Sequence, residues 1–221
     1  MSPPGPADDR PLIAVLDYGI GNLHSVRKAL ERMGADARLT TDAGLVADAD
    51  GAVLPGVGAF GACMQALHTA GLHRPALDAV ASGRPFLGIC VGMQMLFTTS
   101  DEHAGAAGLD VIPGAVRWIP PGVKRPQMQW NRLYPVLADD PMLADLGPEP
   151  WVYFVHSLHA VPDDPAAVAA TCEYGTTLNA AFRLGNVFAT QFHPEKSGPT
   201  GLRLLANFVA TCDRVGGETR R

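Results

Sequence analysis

Three short runs of nearly uninterrupted apolar residues, 12–18 (LIAVLDY), 51–56 (GAVLPG) and 85–90 (PFLGIC), alternate with segments whose apolar residues recur at helical spacing. A strand with one wet face alternates apolar and polar residues, whereas one that is apolar throughout is covered on both faces. Between the runs, Leu23, Val26, Leu30 and Met33 form a helical stripe that stops at Gly34. Residues 35–40 read as a further strand, 60–82 as one helical stretch and 91–97 as a helix. Strand and helix taking turns predicts an α/β fold, a central, mostly parallel sheet with helices on both faces. From about Val111 the texture changes: 111–120, 131–137, 151–161 and 180–192 are strand-like and separated by Gly, Pro and Asn turns, which predicts added antiparallel strands. Residues 198–212 read as a closing amphipathic helix.

A chain of 221 residues is long enough for one domain with a substantial core. We expect that domain over 11–212, after a disordered N-terminal tail (1–10, MSPPGPADDR) and before a flexible C-terminal tail (213–221). The net charge of −5, without a basic run, argues against nucleic acid or an anionic membrane as partner. No apolar stretch is long enough to span a bilayer, and the first ten residues lack the apolar region of a signal peptide. Cys63, Cys90, Cys172 and Cys212 are scattered, with neither a C-x-x-C pair nor metal-ligand spacing. They read as reduced thiols in the cytoplasm, with no metal and no cofactor called for.

One cysteine differs in its setting. Gly88-Ile89-Cys90-Val91-Gly92 ends an apolar strand in the layout of a strained turn that lifts a nucleophile above a sheet. The glycines admit close backbone, and the start of the following helix favours the thiolate. Cys63, Cys172 and Cys212 read as core residues. A thiolate needs a base and a group to orient it. His193-Pro194-Glu195 offers both, since residues two apart in an extended segment share a face. The oxyanion of an acyl transfer needs donors: Val91 N–H supplies one, and the glycine-containing loop 54–60 (LPGVGAF) is placed to supply another. Gly19-x-Gly21 with Asp42 imitates a dinucleotide loop, but the third glycine is absent, with His24 in its place.

In this order, DYGIGN (17–22), LPGVGAF (54–60), GICVGMQ (88–94), YFVHS (153–157) and QFHPEKSG (191–198) resemble the class I glutamine amidotransferases over residues 12–212. Their details are similar to those of glutaminase subunits that serve a cyclase in histidine biosynthesis; the glutaminase subunit of another class I system is the alternative. The resemblance implies a flavodoxin-like sheet and a triad of Cys90 as nucleophile, His193 as base and Glu195 as its orienter. It places the oxyanion donors at Gly56–Val57 and Val91, and gives Gln94 and the backbone around Ser157 to the glutamine substrate. It turns Asn22, Trp130 and Lys196 toward a (β/α)8-barrel cyclase in a heterodimer, near an ammonia passage. Departures are Gln127 and Gln129, where the family usually has His and Gly in a segment facing the cyclase, Leu158 in place of a tyrosine and Val91 in place of a leucine. Two rivals remain: a cysteine-bearing α/β-hydrolase, which expects its acid well before the His, and a non-catalytic relative.

Overall fold

The computed structural model describes residues 10–103 and 105–219; of the expected N-terminal tail, all but Arg10 lies outside the described residues. The chain runs β1 (Leu12–Leu16), α1 (Leu23–Arg32), β2 (Asp36–Thr40), α2 (Ala43–Asp48), β3 (Gly51–Gly56), α3 (Phe60–Thr69), α4 (His73–Ala81), β4 (Phe86–Cys90) and α5 (Val91–Gln94). It continues with β5 (Phe97–Ser100), β6 (Ile112–Trp118), β7 (Gln127–Arg132), β8 (Tyr134–Pro135), β9 (Trp151–His156), β10 (Leu158–Pro162), β11 (Val168–Glu173), β12 (Thr177–Leu184), β13 (Val187–Thr190) and α6 (Gly198–Thr219).

Eight strands form the main sheet in the order β2-β1-β3-β4-β13-β12-β11-β8. The pairs from β2 across to β13 are parallel, and β12, β11 and β8 extend the sheet antiparallel. β3 and β4 are buried at every residue, as their unbroken apolar runs require. Phe86, Phe188 and Phe192 are among the largest fully buried side chains of the core. A three-stranded sheet (β10-β6-β5) and the β7-β9 ribbon complete the molecule.

The structure departs from the sequence reading at definable places. Residues 60–82 form two helices because the chain turns at Gly71, whose φ of 71° suits glycine. Pro55 and Gly56, which read as the break that ends the third strand, stay within β3, whose ladder with β4 continues to the pair Gly56–Cys90. The helix after Cys90 is a single turn, because β-branched Thr98 and Thr99 return the chain to strand β5. α2 had no counterpart in the apolar pattern; its cap is Asp42, whose carboxylate accepts the Gly44 N–H at 2.7 Å. That bond gives Asp42 a local use that owes nothing to a nucleotide. Residues 151–161 split at Ser157, so His156 and His159 belong to different sheets. Most of the stretch read as a C-terminal tail is helical, since no proline interrupts α6 after Cys212.

The first turn after Cys90 packs directly on the end of β3. A Cβ on Gly92 would overlap the Leu54 carbonyl, and one on Gly56 would stand 2.5 Å from the Gly92 nitrogen. Gly92→Ala is expected to cost about 3 kcal/mol, lowering Tm by about 6–12 °C. Gly61→Ala, on a helix where the nearest neighbour is the His103 side chain, is expected to stay within about 1 kcal/mol of the parent. Thermal unfolding of the two variants checks the contrast.

Candidate active site

The parallel strands β1, β3 and β4 end on the same side of the sheet, together with the turn that follows β13, and a cleft of about 600 Å³ opens there. Loops beyond the carboxyl ends of parallel strands are where α/β folds bind ligands. Cys90 closes β4 at φ 56° and ψ −114° and is 4% exposed. A non-glycine residue held in that sparsely populated region costs on the order of 1–3 kcal/mol, which the flanking ladder and α5 impose. The strained turn expected from the glycine spacing is present. The helix behind it is only four residues long, so backbone geometry rather than a long helix sets the position of the sulfur.

His193 is 2% exposed and follows β13. Its Nδ1 lies 2.9 Å from Glu195 Oε1. The intervening backbone is a single 3-10 turn, Pro194–Lys196, rather than the extended segment expected. The carboxylate therefore reaches the ring by curling back beneath it. With Nδ1–H donated to Glu195, Nε2 is the nitrogen free to serve Cys90. Burial pushes the His193 pKa down, but hydrogen bonding and charge from Cys90 and Glu195 outweigh it and lift the value to about 9. At neutral pH the ring is thus an imidazolium.

The same Glu195 oxygen accepts Asn22 Nδ2–H at 3.1 Å. Asn22, expected at a partner interface, therefore also supports the triad from the β1–α1 loop. Glu195 Oε2 is buried without a protein partner among the described residues. Val57, Val91, Gln94, Ser157, Asn22 and Lys196 all line the cleft with Cys90 and His193. Gly56 does not; it packs beneath, against the Val91–Gly92 backbone. Trp130 also stands outside, 48% exposed on β7, where a Cβ on Gly198 would lie 3.7 Å from its Cη2. Its ring thus borders the loop that carries His193 and Lys196.

Three functional candidates escaped the sequence reading. Gln191, fully buried, accepts Gln94 Nε2–H at 3.0 Å and aims its own amide N–H at Cys90 Sγ, 3.9 Å away. Its place two residues before His193 was the available signal. Glu102 lines the cleft from the loop after β5 and accepts the Phe60 N–H at 2.7 Å; nothing local marked it. His156 also borders the cleft, and burial pushes its pKa down to about 4, so it is neutral. Its Nδ1 lies 2.6 Å from the Leu158 carbonyl oxygen and its Nε2 lies 2.8 Å from Gln127 Oε1. The neutral ring carries one N–H and donates it to one of these two oxygens. Gln127, expected in a segment facing a partner, is wholly buried, while Gln129 is exposed. The remaining cysteines sit in the core, where burial pushes all three thiols up and keeps them protonated. Among the described residues no group of three or more His, Cys, Asp or Glu is placed to hold a metal, and no helix is long and apolar enough to cross a membrane.

A thiol at a strained strand end, a buried imidazole and a carboxylate oriented on it form the constellation of a thiol-dependent acyl transfer. The chain belongs to the class I glutamine amidotransferases: the family described as Glutamine amidotransferase class-I matches residues 14–212. Two relatives carry the name imidazole glycerol phosphate synthase subunit HisH. The one from Synechococcus sp. (strain JA-3-3Ab) is 50% identical over 200 residues, covering 89% of this chain and 92% of its own. The one from Halobacterium salinarum is 52% identical over 208 residues, covering 90% and 93%. In fold the chain is similar to a crystal structure titled glutamine amidotransferase (TM-score 0.71, 20% identity, 90% of this chain and 98% of that one). It is also similar to PurLQS from Thermotoga maritima (TM-score 0.69, 20% identity, 91% and 98%).

Because His193 must be protonated to release the leaving amine, kcat/KM for glutamate release from glutamine is expected to fall as pH rises through about 9. Glu195→Gln removes one of the groups that raise the proton affinity, so it should lower kcat and move the falling limb to lower pH. Paired pH profiles test both effects.

Proposed function

We propose that this chain is the glutaminase subunit of imidazole glycerol phosphate synthase: it hydrolyses glutamine and hands ammonia to a cyclase of (β/α)8-barrel fold in a cytoplasmic heterodimer. The observation that carries the chemistry is Cys90, at φ 56°, facing an imidazole that Glu195 holds at 2.9 Å. Glutamine enters the cleft with its side-chain amide over the sulfur. Gln94 and the backbone at Ser157 hold the amino acid, and the Glu102 carboxylate offers a counter-charge for its α-ammonium group.

The Cys90 thiolate attacks the amide carbon and forms a C–S bond, pushing an electron pair onto the oxygen. Val57 N–H and Val91 N–H receive that oxyanion. As the tetrahedral centre collapses, His193 Nε2–H protonates the departing nitrogen, and ammonia leaves a γ-glutamyl thioester. The now neutral Nε2 takes a proton from water, and the resulting hydroxide attacks the thioester. Glutamate departs, and the thiolate–imidazolium pair is restored.

Ammonia released to bulk water at neutral pH becomes ammonium, which is no nucleophile, so the product needs a sheltered exit. The outward face beside the cleft supports a partner there. Met128, Trp130 and Trp151 are 63%, 48% and 47% exposed on the β7–β9 ribbon, and Trp130 packs edge-on against Tyr153. Exposed aromatic clusters of this kind mark docking surfaces. Lys196 and Asn22 sit where that face meets the cleft.

Glutamate release should be slow for the chain alone and rise with the cyclase and its nucleotide substrate. Cys90→Ala should abolish glutamine-dependent synthesis of imidazole glycerol phosphate while synthesis from added ammonium salt persists; loss of both would refute the division of labour. Trp130→Ala should weaken the complex by about 2 kcal/mol, a roughly 30-fold rise in Kd read by titration calorimetry.

A further inference from the structure

Two side chains outside the triad close on the backbone of the segment that carries the Val57 N–H. Tyr18, in the β1–α1 loop, donates its hydroxyl to the Pro55 carbonyl at 2.5 Å and lies 3.7 Å from Met95 Sδ. Cys63, in the first turn of α3, donates its S–H to the Val57 carbonyl at 3.2 Å. They are 5% and 0% exposed, so neither bond competes with water. Between the two held carbonyls lies Gly56, where a Cβ would stand 2.9 Å from the Tyr18 hydroxyl. The absence of a side chain there is what lets the phenol reach over the strand.

The three peptide planes of this segment are thereby unequal. The Pro55–Gly56 plane is pinned through its carbonyl by Tyr18, and the Val57–Gly58 plane through its carbonyl by Cys63. The plane between them, Gly56–Val57, carries the Val57 N–H, which has no protein acceptor among the described residues. Pinning both neighbours fixes the two α-carbons that flank this peptide, in the loop that lines the cleft together with Cys90. We infer that Tyr18 and Cys63 are positioning residues for the glutaminase reaction, a two-point clasp that fixes the mounting of the Val57 oxyanion donor. Burial pushes both Cys63 and Tyr18 up, with Cys63 adding to the rise at Tyr18 and Tyr18 partly offsetting the rise at Cys63, which keeps each a donor and keeps Cys63 from acting as a rival nucleophile.

The inference rests on Cys90 as the nucleophile, so its test carries a separate readout for that assignment. An oxyanion donor acts on the transition state and not on bound glutamine, so a loosened mounting lowers kcat and leaves KM alone. Removing such a donor outright costs about 10²–10³-fold; loosening its support through Cys63→Ala or Tyr18→Phe is expected to cost about tenfold in kcat, with KM within about twofold. Cys63→Ser, whose hydroxyl can still donate, should recover most of the loss. Alkylation of Cys90 by iodoacetamide needs no oxyanion donor, so its rate should be unchanged in all three variants. Wild-type kcat in Cys63→Ala, a serine variant as impaired as the alanine one, or KM rising as kcat falls would each overturn the clasp. Slowed alkylation would overturn it too, by showing that the variants disturb the sulfur itself. Full activity after stoichiometric alkylation of Cys90 would instead remove the nucleophile assignment and the clasp with it.

Discussion

The pairing of β3 with β4 sets the height of everything in the site. The parallel ladder runs without interruption to Gly56 and Cys90, so the nucleophile and the oxyanion segment leave the sheet side by side. Two glycines make that closeness possible, Gly56 on one strand and Gly92 just past the other, each filling space where a Cβ would meet backbone. Cys90 accepts a left-handed conformation because the chain must turn at once to avoid Leu54 and Pro55. The strain at the thiol is thus a consequence of packing two strand ends together, not a property of cysteine.

The other half of the triad depends on the strand that lies on the far side of β4. β13 runs parallel to β4 with Thr190 opposite Ile89, which delivers His193 to the same rim. Its loop is tied down from the ribbon side. His193 N–H donates to the Tyr153 carbonyl at 3.1 Å, Tyr153 N–H donates to Ser197 Oγ at 3.0 Å, and Ser197 donates back to the His193 carbonyl at 2.6 Å. Tyr153 is also the cross-strand neighbour of Trp130. The backbone that holds the catalytic turn therefore belongs to the ribbon that presents the exposed aromatic face. A partner seated on that face would touch the ribbon whose Tyr153 carbonyl holds the His193 N–H.

What could be read from the sequence was what is local in it. Cys90 between glycines at the end of an apolar run, and His193 two residues from Glu195, state their chemistry within a few positions. The doubly covered strands followed equally directly from their unbroken apolar runs. The failures share a cause. The curl that brings Glu195 under His193 and the division of residues 151–161 between two sheets are decided by neighbours distant in the chain. Glu102, Gln191 and the clasp formed by Tyr18 and Cys63 are likewise defined by what they face. Cys63 shows the limit well: as a small apolar residue on a buried helical stripe it reads as core, which it is, yet its single donor lands on the Val57 carbonyl.

Gln127 shows how a departure from a family pattern can be absorbed without touching the site. Its neighbour His156 is buried and neutral, with Nδ1 2.6 Å from the Leu158 carbonyl oxygen. Gln127 Oε1 stands 2.8 Å from its other ring nitrogen, Nε2, so the pair joins β7 to β9 without an ionised group. The amide nitrogen of Gln127 faces the interior near Cys172, whose thiol burial holds protonated, with a pKa pushed up to about 12. The contact between His156, Gln127 and Cys172 is thus made by neutral groups throughout. It anchors β9 and the turn at Ser157 by interior bonding. The outward-facing aromatic residues of the same ribbon remain free to meet a partner.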